Sequence, residues 1–351
     1  MDKDYFKGRG AQFNTKNPFF NNSYVTEHLE GLDEALNVSP KTTLFKENAT
    51  HIVNKVKSPD LRSMYSANPY QGCEHGCIYC YARNSHQYWG FSAGLDFESK
   101  IIVKQNAPAL LEKQFLSNSW VPHPILLSGN TDCYQPIEKQ LKLTRGMLKV
   151  FARYGNPVTI ITKNVLILRD LDILKDLAAA GLVHVNFSVT TLQEKLRRIL
   201  EPRTATAMNK LKVIEKLSTE NVPVAIMNAP IIPGLNMDEI PEVIRRTSEA
   251  GARDAGYTVV RLNGSIKDLF HDWLYKNFPE RAPKVWHQIS ELHGGGVNDS
   301  QWGRRMKGEG AIASTIRQLF LVSKKKYMNE RGMPVMALDR FRKNANLSLF
   351  D

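Results

Sequence analysis

Cysteine is scarce in this chain, and long apolar runs are absent from it. Only four of the 351 residues are cysteines, and three of the four lie in one short stretch. So few cysteines cannot form the disulfide framework of a small secreted protein. No run of about 18 apolar residues occurs, and the first residues have no apolar signal region. We therefore expect neither membrane insertion nor export, and we expect a cytoplasmic protein.

Acidic residues are outnumbered by basic ones. The chain has 47 lysines and arginines against 35 aspartates and glutamates, a formal net charge of +12. Such an excess favours a polyanionic partner, and nucleic acid fits it better than a small metabolite does. Solubility alone is the alternative explanation of the charge.

The three clustered cysteines are spaced Cys-x3-Cys-x2-Cys at Cys73, Cys77 and Cys80. Thiolates at this spacing can surround one cubane iron–sulfur cluster, and Gly72 and Gly76 let the backbone wrap closely. Three protein ligands leave one of four irons open, which indicates chemistry rather than a structural role. The alternative is a structural zinc site completed by one of two histidines, His75 or His86. A second pair of cysteines, which structural zinc sites usually use, is missing.

Short β-rich runs alternate with amphipathic helical runs from Ser66 to Leu262, which predicts a parallel sheet with helical crossovers. We predict an α/β fold, a partial (β/α)6 barrel, in which residues 1–60 form an N-terminal arm and 61–262 the barrel. Residues 263–351 are predicted to form a C-terminal helical region that covers the open side of the barrel, with helices over 267–292 and 311–328. The predicted strands are Ser66–Tyr70, Ile125–Leu127, Val158–Thr162, Val183–Val189, Val222–Met227 and Tyr257–Leu262.

The cysteine loop resembles the signature of the radical S-adenosylmethionine (SAM) superfamily, in which an aromatic residue, here Tyr79, precedes the last cysteine. The resemblance implies a 4Fe–4S cluster on Cys73, Cys77 and Cys80, whose open iron holds SAM. One electron from the cluster then cleaves SAM to a 5′-deoxyadenosyl radical. The resemblance also implies a protein electron donor such as flavodoxin or ferredoxin.

The strand ends of the predicted barrel carry polar residues, and active sites of parallel barrels lie at these ends. This constellation is similar to one branch of the superfamily, spore photoproduct lyase and the DNA-repair-photolyase-related proteins. The matching blocks include Thr162-Lys163, Phe187-Ser188-Val189, the stretch Glu201 to Thr204, and Ala229-Pro230. By this resemblance, Lys163 would contact the carboxylate of SAM and Ser188 its ribose. Thr131 and Asp132 would contact the methionine end, and Ala229 the adenine.

The sequence departs from the lyase at the residues that quench the substrate radical. In the lyase a cysteine before the Thr/Ser-Asp pair donates a hydrogen atom, and a tyrosine after the last cluster cysteine relays it. Tyr81 matches the tyrosine, but Gly129 or Asn130 takes the place of the cysteine. Cys133, just after Asp132, is a candidate donor, and a small packing residue is the alternative.

We therefore expect a radical SAM enzyme that acts on a nucleic-acid component. Damaged or modified DNA is the preferred substrate class, and lyase-type repair is the expected activity. The alternatives are an RNA nucleoside-modifying radical SAM enzyme and a non-catalytic, cluster-containing nucleic-acid-binding protein. The expected nucleic-acid surface combines the loop from Gly294 with Arg304, Arg305 and Lys324–Lys326, and Trp302 for base stacking.

The C-terminal residues Leu347, Leu349 and Phe350 resemble the bacterial sliding-clamp-binding motif, Gln-Leu-x-Leu-Phe. Asn346 stands where that motif has glutamine. A clamp is therefore a candidate partner, and the alternative is a tail that packs on the barrel of the same chain.

Overall fold

The computed structural model describes residues 5–19, 41–60, 65–329 and 331–343. Within these residues, the strands in chain order are β1 (Thr43–Glu47), β2 (Val53–Lys55), β3 (Tyr65–Ala67), β4 (Tyr70–Gln71), β5 (Lys100–Lys104), β6 (Ile125–Leu127), β7 (Val158–Thr162), β8 (Val183–Ser188), β9 (Val224–Ile231) and β10 (Asp254–Val259).

The α-helices of the same residues are α1 (Leu95–Ser99), α2 (Ala107–Leu116), α3 (Glu138–Leu141), α4 (Leu143–Tyr154), α5 (Leu171–Ala179), α6 (Glu194–Leu200), α7 (Ala207–Thr219), α8 (Ile240–Glu249), α9 (Ile266–Asn277), α10 (Ala282–Leu292) and α11 (Gly310–Met328). Short 3-10 helices occupy Tyr81–Trp89, Val165–Asp170 and Met237–Glu239.

The main sheet confirms the predicted partial barrel. Six parallel strands follow one another in the order β3-β6-β7-β8-β9-β10, and β2 pairs antiparallel with β3 at the edge. The strand residues alternate as the pattern requires: Val183, Val185 and Phe187 of β8 are buried in the main core. The carboxyl ends of all six strands therefore meet at one edge, where the site is built.

Four of the six predicted strands have different bounds in the structure. The fourth ends one residue early, at Ser188, and the fifth covers Val224–Ile231 instead of Val222–Met227. The first ends at Ala67, and the next extended residues, Tyr70–Gln71, form β4 in a second sheet of order β1-β5-β4. The last begins three residues earlier than predicted, at Asp254 in register with Ala225. It ends at Val259, because the amide of Leu262 pairs with the carbonyl of Val297 instead of with the sheet.

The terminal regions also differ in detail from the expectation. Residues 43–55, predicted within the N-terminal arm, contain β1 and β2. The predicted helical stretch 267–292 is divided into α9 and α10, because Pro279 cannot donate the amide that would continue α9. Helix α11 packs on α8 and β10. The division into arm, barrel and C-terminal region remains a prediction.

The segment 331–343 crosses the amino-terminal ends of the strands. The amide of Ala337 donates to the carbonyl of Gly181 (3.0 Å) just before β8, and the Arg253 side chain donates to the carbonyl of Gly332 (3.2 Å) just before β10. This segment therefore closes the end of the barrel opposite the site. The last residues, with Leu347, Leu349 and Phe350 of the proposed clamp motif, lie outside the described residues.

Candidate active site

The cysteine loop is shaped by two glycines and held by the helix α1. Gly72 and Gly76 adopt positive φ values of 78° and 67°, which L side chains rarely adopt. A Cβ on Gly76 would lie 2.8 Å from a carboxylate oxygen of the buried Glu98. The amide of Cys73 donates to the carbonyl of Phe97 at 2.9 Å. The loop thus has one tightly packed path that a side chain at either glycine would disturb.

The N-terminal residues 9–11 close over this loop. The amides of Gly10 and Ala11 donate to the two carboxylate oxygens of Glu98 at 3.0 and 2.8 Å. A Cβ on Gly10 would lie 1.8 Å from the carbonyl oxygen of Gly76. The close approach of two backbones explains why glycine stands at both positions, and it removes the loop from solvent.

The three thiols share one dry environment. Cys73 and Cys77 are buried and Cys80 is half-buried. Burial raises the pKa of all three thiols, that of Cys77 to about 12. Cys77 and Cys80 also raise the pKa of Cys73, and Cys80 raises that of Cys77. Three thiolates here would therefore need a cationic group, which is what an iron cluster supplies.

The donor set suits an iron–sulfur cluster because its three members are thiols in one loop. Among the described residues, no group of three or more His, Cys, Asp or Glu side chains could hold a single metal ion. The thiolates of a cubane bind different irons, so they stand further apart than the ligands of one ion. Of the two histidines considered as zinc ligands, His75 has its Nδ1 3.4 Å from an Asp132 oxygen, and His86 lies between the rings of Phe91 and Phe97.

Lys163 follows β7 and points at the cysteine loop. Its Nζ lies 3.6 Å from the Cys77 Sγ, 2.7 Å from the Tyr79 hydroxyl and 3.0 Å from an oxygen of Glu201. Burial opposes the charged ammonium, but Cys77 and Glu201 raise the pKa of Lys163 well above its usual range. A fixed cation therefore lies beside the cluster loop, where the resemblance expects the SAM carboxylate.

Glu201 lies at the centre of the site, although the sequence analysis gave it no role. Its carboxylate is fully buried, accepts from the Thr190 hydroxyl at 2.7 Å and pairs with the equally buried Lys210 at 2.8 Å. It also accepts from the Tyr79 hydroxyl. Burial raises the pKa of Glu201, but Lys163 and Lys210 outweigh burial and hold that pKa well below its usual range. The sequence did mark this position, because the stretch Glu201 to Thr204 matches a block of the lyase family, but the match suggested no role for the carboxylate.

Thr131 and Asp132, predicted at the methionine end of SAM, make internal contacts. The Thr131 hydroxyl donates to the carbonyl of Tyr70 at 2.9 Å. The Asp132 carboxylate accepts from the Thr162 hydroxyl at 2.8 Å and from the amide of Lys163 at 3.0 Å. These bonds join the loop after β6 to β7 and to the residues that lead into the cysteine loop. Their contact with SAM stays a prediction.

Ser188 and Ala229 lie on neighbouring strands at the same edge. Ser188 ends β8 and pairs in register with Met227 of β9, and the carbonyl of Ala229 accepts from the Thr190 hydroxyl at 2.8 Å. The structure thus brings both residues to the strand edge that holds Lys163. Their ribose and adenine contacts also stay predictions.

Tyr81 and Cys133, the two candidates for hydrogen transfer, lie in different surroundings. Tyr81 is 52% exposed, and its hydroxyl donates to the carbonyl of Gly129, one of the two residues that stand in the place of the lyase cysteine. Cys133 is fully buried in the main core, with its Sγ 3.9 Å from the carbonyl of Leu127. This placement favours the packing alternative for Cys133, because a fully buried thiol cannot contact a substrate radical.

The arginines predicted to bind nucleic acid are paired within the chain. Arg304 makes an ion pair with Glu309 at 2.9 Å, and Arg305 makes one with Asp60 at 2.5 Å while its guanidinium lies 3.7 Å from the Trp302 ring centre. These contacts neutralise both guanidinium groups. The expectation that they offer free charge to phosphate is therefore not supported.

The lysines at the end of α11 differ from one another. Lys324 pairs with Asp254 at 2.5 Å, whereas Lys325 and Lys326 are exposed. Of these three lysines, Lys325 and Lys326 remain candidates for a phosphate contact.

The parallel partial barrel, the loop of three thiols and the lysine beside it define a class of enzyme that binds a cluster and a cofactor at the carboxyl ends of its strands. The family model "Radical SAM superfamily" matches residues 67–247. The chain belongs to the radical SAM superfamily and is a radical SAM enzyme. Members of this family use a 4Fe–4S cluster and SAM, so the predicted family and cofactors are confirmed.

Two relatives resemble the chain over about two thirds of its length. A Mycobacterium tuberculosis protein is 32% identical over 231 residues, which are 65% of this chain and 68% of the relative. A Methanocaldococcus jannaschii protein is 28% identical over 243 residues, 69% of this chain and 86% of the relative. Both are described only as uncharacterised proteins, so they carry no functional argument.

Solved structures show the same fold. Spore photoproduct lyase complexed with a dinucleoside spore photoproduct matches with a TM-score of 0.56 and 15% identity over 86% of this chain and 85% of the lyase. A lyase mutant with bound AdoMet and the same photoproduct matches with a TM-score of 0.52 over 77% of this chain and 76% of that chain, also at 15% identity. At this identity the likeness establishes the architecture alone. No helix in the described part of the chain is long and apolar enough to cross a membrane.

Proposed function

We propose that this radical SAM enzyme acts on a nucleic-acid component, with damaged or modified DNA as its substrate class. The observation that carries the proposal is the arrangement at one strand edge: Lys163 lies 3.6 Å from the Cys77 thiol, and the half-exposed Tyr81 follows the same loop toward solvent. The fold is shared with a lyase whose structure holds a dinucleoside photoproduct. The net charge of +12 adds electrostatic attraction for a polyanion.

The chain's own residues suit the two cofactors. Cys73, Cys77 and Cys80 would bind the cluster, and Lys163 would pair with the carboxylate of SAM as a charge-assisted hydrogen-bond donor. When bound, the cluster supplies the electron that cleaves SAM to a 5′-deoxyadenosyl radical. Tyr79 and Glu201 hold the Lys163 ammonium in place through contacts of 2.7 and 3.0 Å.

The remaining predicted contacts act around that cation. Ser188 would contact the ribose of SAM, Ala229 the adenine, and Thr131 and Asp132 would orient the methionine end by fixing the loop after β6. Tyr81, whose phenol reaches the Gly129 carbonyl, would act on the substrate radical. Neither Gly129 nor Asn130, which stand in the place of the lyase cysteine, carries a thiol. The proposal therefore does not include the lyase reaction on thymine dimers.

An RNA nucleoside is the second candidate substrate, because the charge of +12 favours any polyanion and does not separate DNA from RNA. The non-catalytic alternative is set aside, since members of this family are enzymes. Anaerobic reconstitution followed by challenge with irradiated DNA, undamaged DNA and tRNA tests the choice. We expect 5′-deoxyadenosine and altered nucleosides with irradiated DNA. Formation of these products with tRNA but with neither DNA sample would establish the RNA alternative.

Two protein partners complete the proposal. An electron donor such as flavodoxin or ferredoxin would reduce the cluster. A sliding clamp would bind Leu347, Leu349 and Phe350, whose burial could contribute roughly 1.5 to 3 kcal/mol each before ordering costs. Deleting residues 346–351 should abolish clamp pull-down and leave the melting temperature unchanged. A large loss of stability would instead show that the tail packs on the barrel.

A further inference from the structure

Arg261 follows the carboxyl end of the sixth parallel strand, on a stretch of backbone that is held on both sides. The preceding residue, Val260, donates its amide to Ile231 at 2.9 Å, and its carbonyl accepts from the His293 ring at 2.7 Å. The following residue, Leu262, donates to the carbonyl of Val297 at 2.9 Å. The backbone of Arg261 is therefore fixed on both sides.

The side chain of Arg261 points away from the core. Val260 and Leu262 are buried in a hydrophobic cluster separate from the main core, together with apolar side chains of α9 and α10. Because side chains alternate along an extended backbone, the residue between them faces the other way. Arg261 itself is half-buried and lies close enough to Tyr81, Asp60 and Arg305 to interact electrostatically with them. It thus lies on the Tyr81 side of the cysteine loop.

Among the residues that the structure describes, Arg261 makes no hydrogen bond or ion pair through its side chain, unlike Arg304 and Arg305. The one nearby carboxylate, Asp60, is already used: its two oxygens accept from the amide of Gly303 at 2.7 Å and from the Arg305 side chain at 2.5 Å. Burial and the charge of Arg305 lower the pKa of Arg261. A half-buried guanidinium that makes no hydrogen bond or ion pair with the described residues keeps its donors available for an anion.

The anion is the substrate's rather than that of SAM, since Lys163 already stands beside the cluster loop as the partner of the SAM carboxylate. A guanidinium fork matches the oxygens of phosphate, and the net charge of +12 favours a polyanion. Resting on the proposed function, we propose that Arg261 binds a backbone phosphate of the nucleic-acid substrate and holds the reacting nucleotide beside Tyr81.

The test measures binding without turnover. Single-stranded DNA and RNA of ten nucleotides and the same sequence carry a fluorescent label, and anisotropy is followed as NaCl is raised. The variants are Arg261→Gln, Arg261→Lys and the control Arg245→Gln. Arg245 lies exposed on α8, where it pairs with Glu242 and Glu249, so its replacement removes the same charge outside the site.

Arg261→Gln should weaken binding about tenfold or more and make the log-log salt slope shallower by about 0.7, as expected for one phosphate of a single strand. Arg261→Lys should keep the slope and lose part of the affinity, because lysine lacks the fork. Arg245→Gln should match the wild type.

Equal affinity and slope for Arg261→Gln and Arg245→Gln on both strands would overturn the inference and leave the proposed function standing. Failure of the wild type to bind either strand would overturn both. Thermal unfolding supplies a second check: Arg261→Gln should melt no lower than the wild type, because it removes an unpaired charge. A lower melting temperature with unchanged binding would make Arg261 a scaffold residue and refute its phosphate contact.

Discussion

Replacing Glu201 by glutamine should destabilise the protein strongly. The carboxylate of Glu201 is fully buried and is the ion-pair partner of Lys210, also fully buried, at 2.8 Å, and of Lys163 at 3.0 Å. Glutamine keeps the volume but removes the charge, which leaves the fully buried ammonium of Lys210 uncompensated and takes one partner from the partly buried Lys163. Breaking a buried pair from one side costs about 3–5 kcal/mol. We therefore expect the free energy of unfolding to fall by an amount in that range.

The assay is urea unfolding, with iron content measured on the same samples. The double variant Glu201→Gln with Lys210→Met removes both charges of the fully buried pair and should recover much of the loss. Glu220→Gln is the matched control, because Glu220 pairs with Lys175 and Lys216 at the surface. It should leave the free energy of unfolding almost unchanged. A single variant as stable as the wild type, or a double variant no more stable than the single, would refute the buried-charge argument.

Three further predictions concern the cysteines and one buried histidine. Cys73→Ala, Cys77→Ala and Cys80→Ala should each lose the cluster, and a full complement of iron in the purified single variants would show that the ligand assignment is wrong. Cys133→Ala should leave turnover and products unchanged but lower stability by about 1 kcal/mol through a small cavity; by-products of an unquenched radical would instead make Cys133 the donor. Burial lowers the pKa of His86 from 6.5 to about 4, so the unfolded chain binds more protons between these values. The free energy of unfolding should fall by up to about 3 kcal/mol as pH falls through this window, and an equally steep fall in His86→Gln would contradict the assignment.

The parts of the fold that depend on local pattern were predictable. The alternation of buried residues along β8 and the spacing of the three cysteines are visible in the sequence, and both lead to the observed barrel and cysteine loop. The position of Lys163 also followed, because it comes directly after β7, where parallel barrels place their chemistry.

The parts that depend on distant partners were not predictable. Arg305 reads as a free charge in the sequence, but its partner Asp60 lies 245 positions earlier in the chain. The burial of Glu201 between two lysines likewise depends on three separate elements meeting. Strand periodicity does not predict the direction of a side chain in the loop after β6. The sequence therefore suggested that the Cys133 thiol lies at the site, whereas the structure buries it in the main core.

The transfer of hydrogen from nucleic acid is the central claim, and an isotope measurement tests it most directly. The reconstituted enzyme is incubated anaerobically with SAM, a reductant and irradiated DNA isolated from cells grown in deuterated medium. Mass spectrometry then follows 5′-deoxyadenosine and recovered SAM. The proposal predicts that one or both gain deuterium, because the adenosyl radical takes its hydrogen from the DNA. Turnover that yields only unlabelled 5′-deoxyadenosine and unlabelled SAM would contradict it.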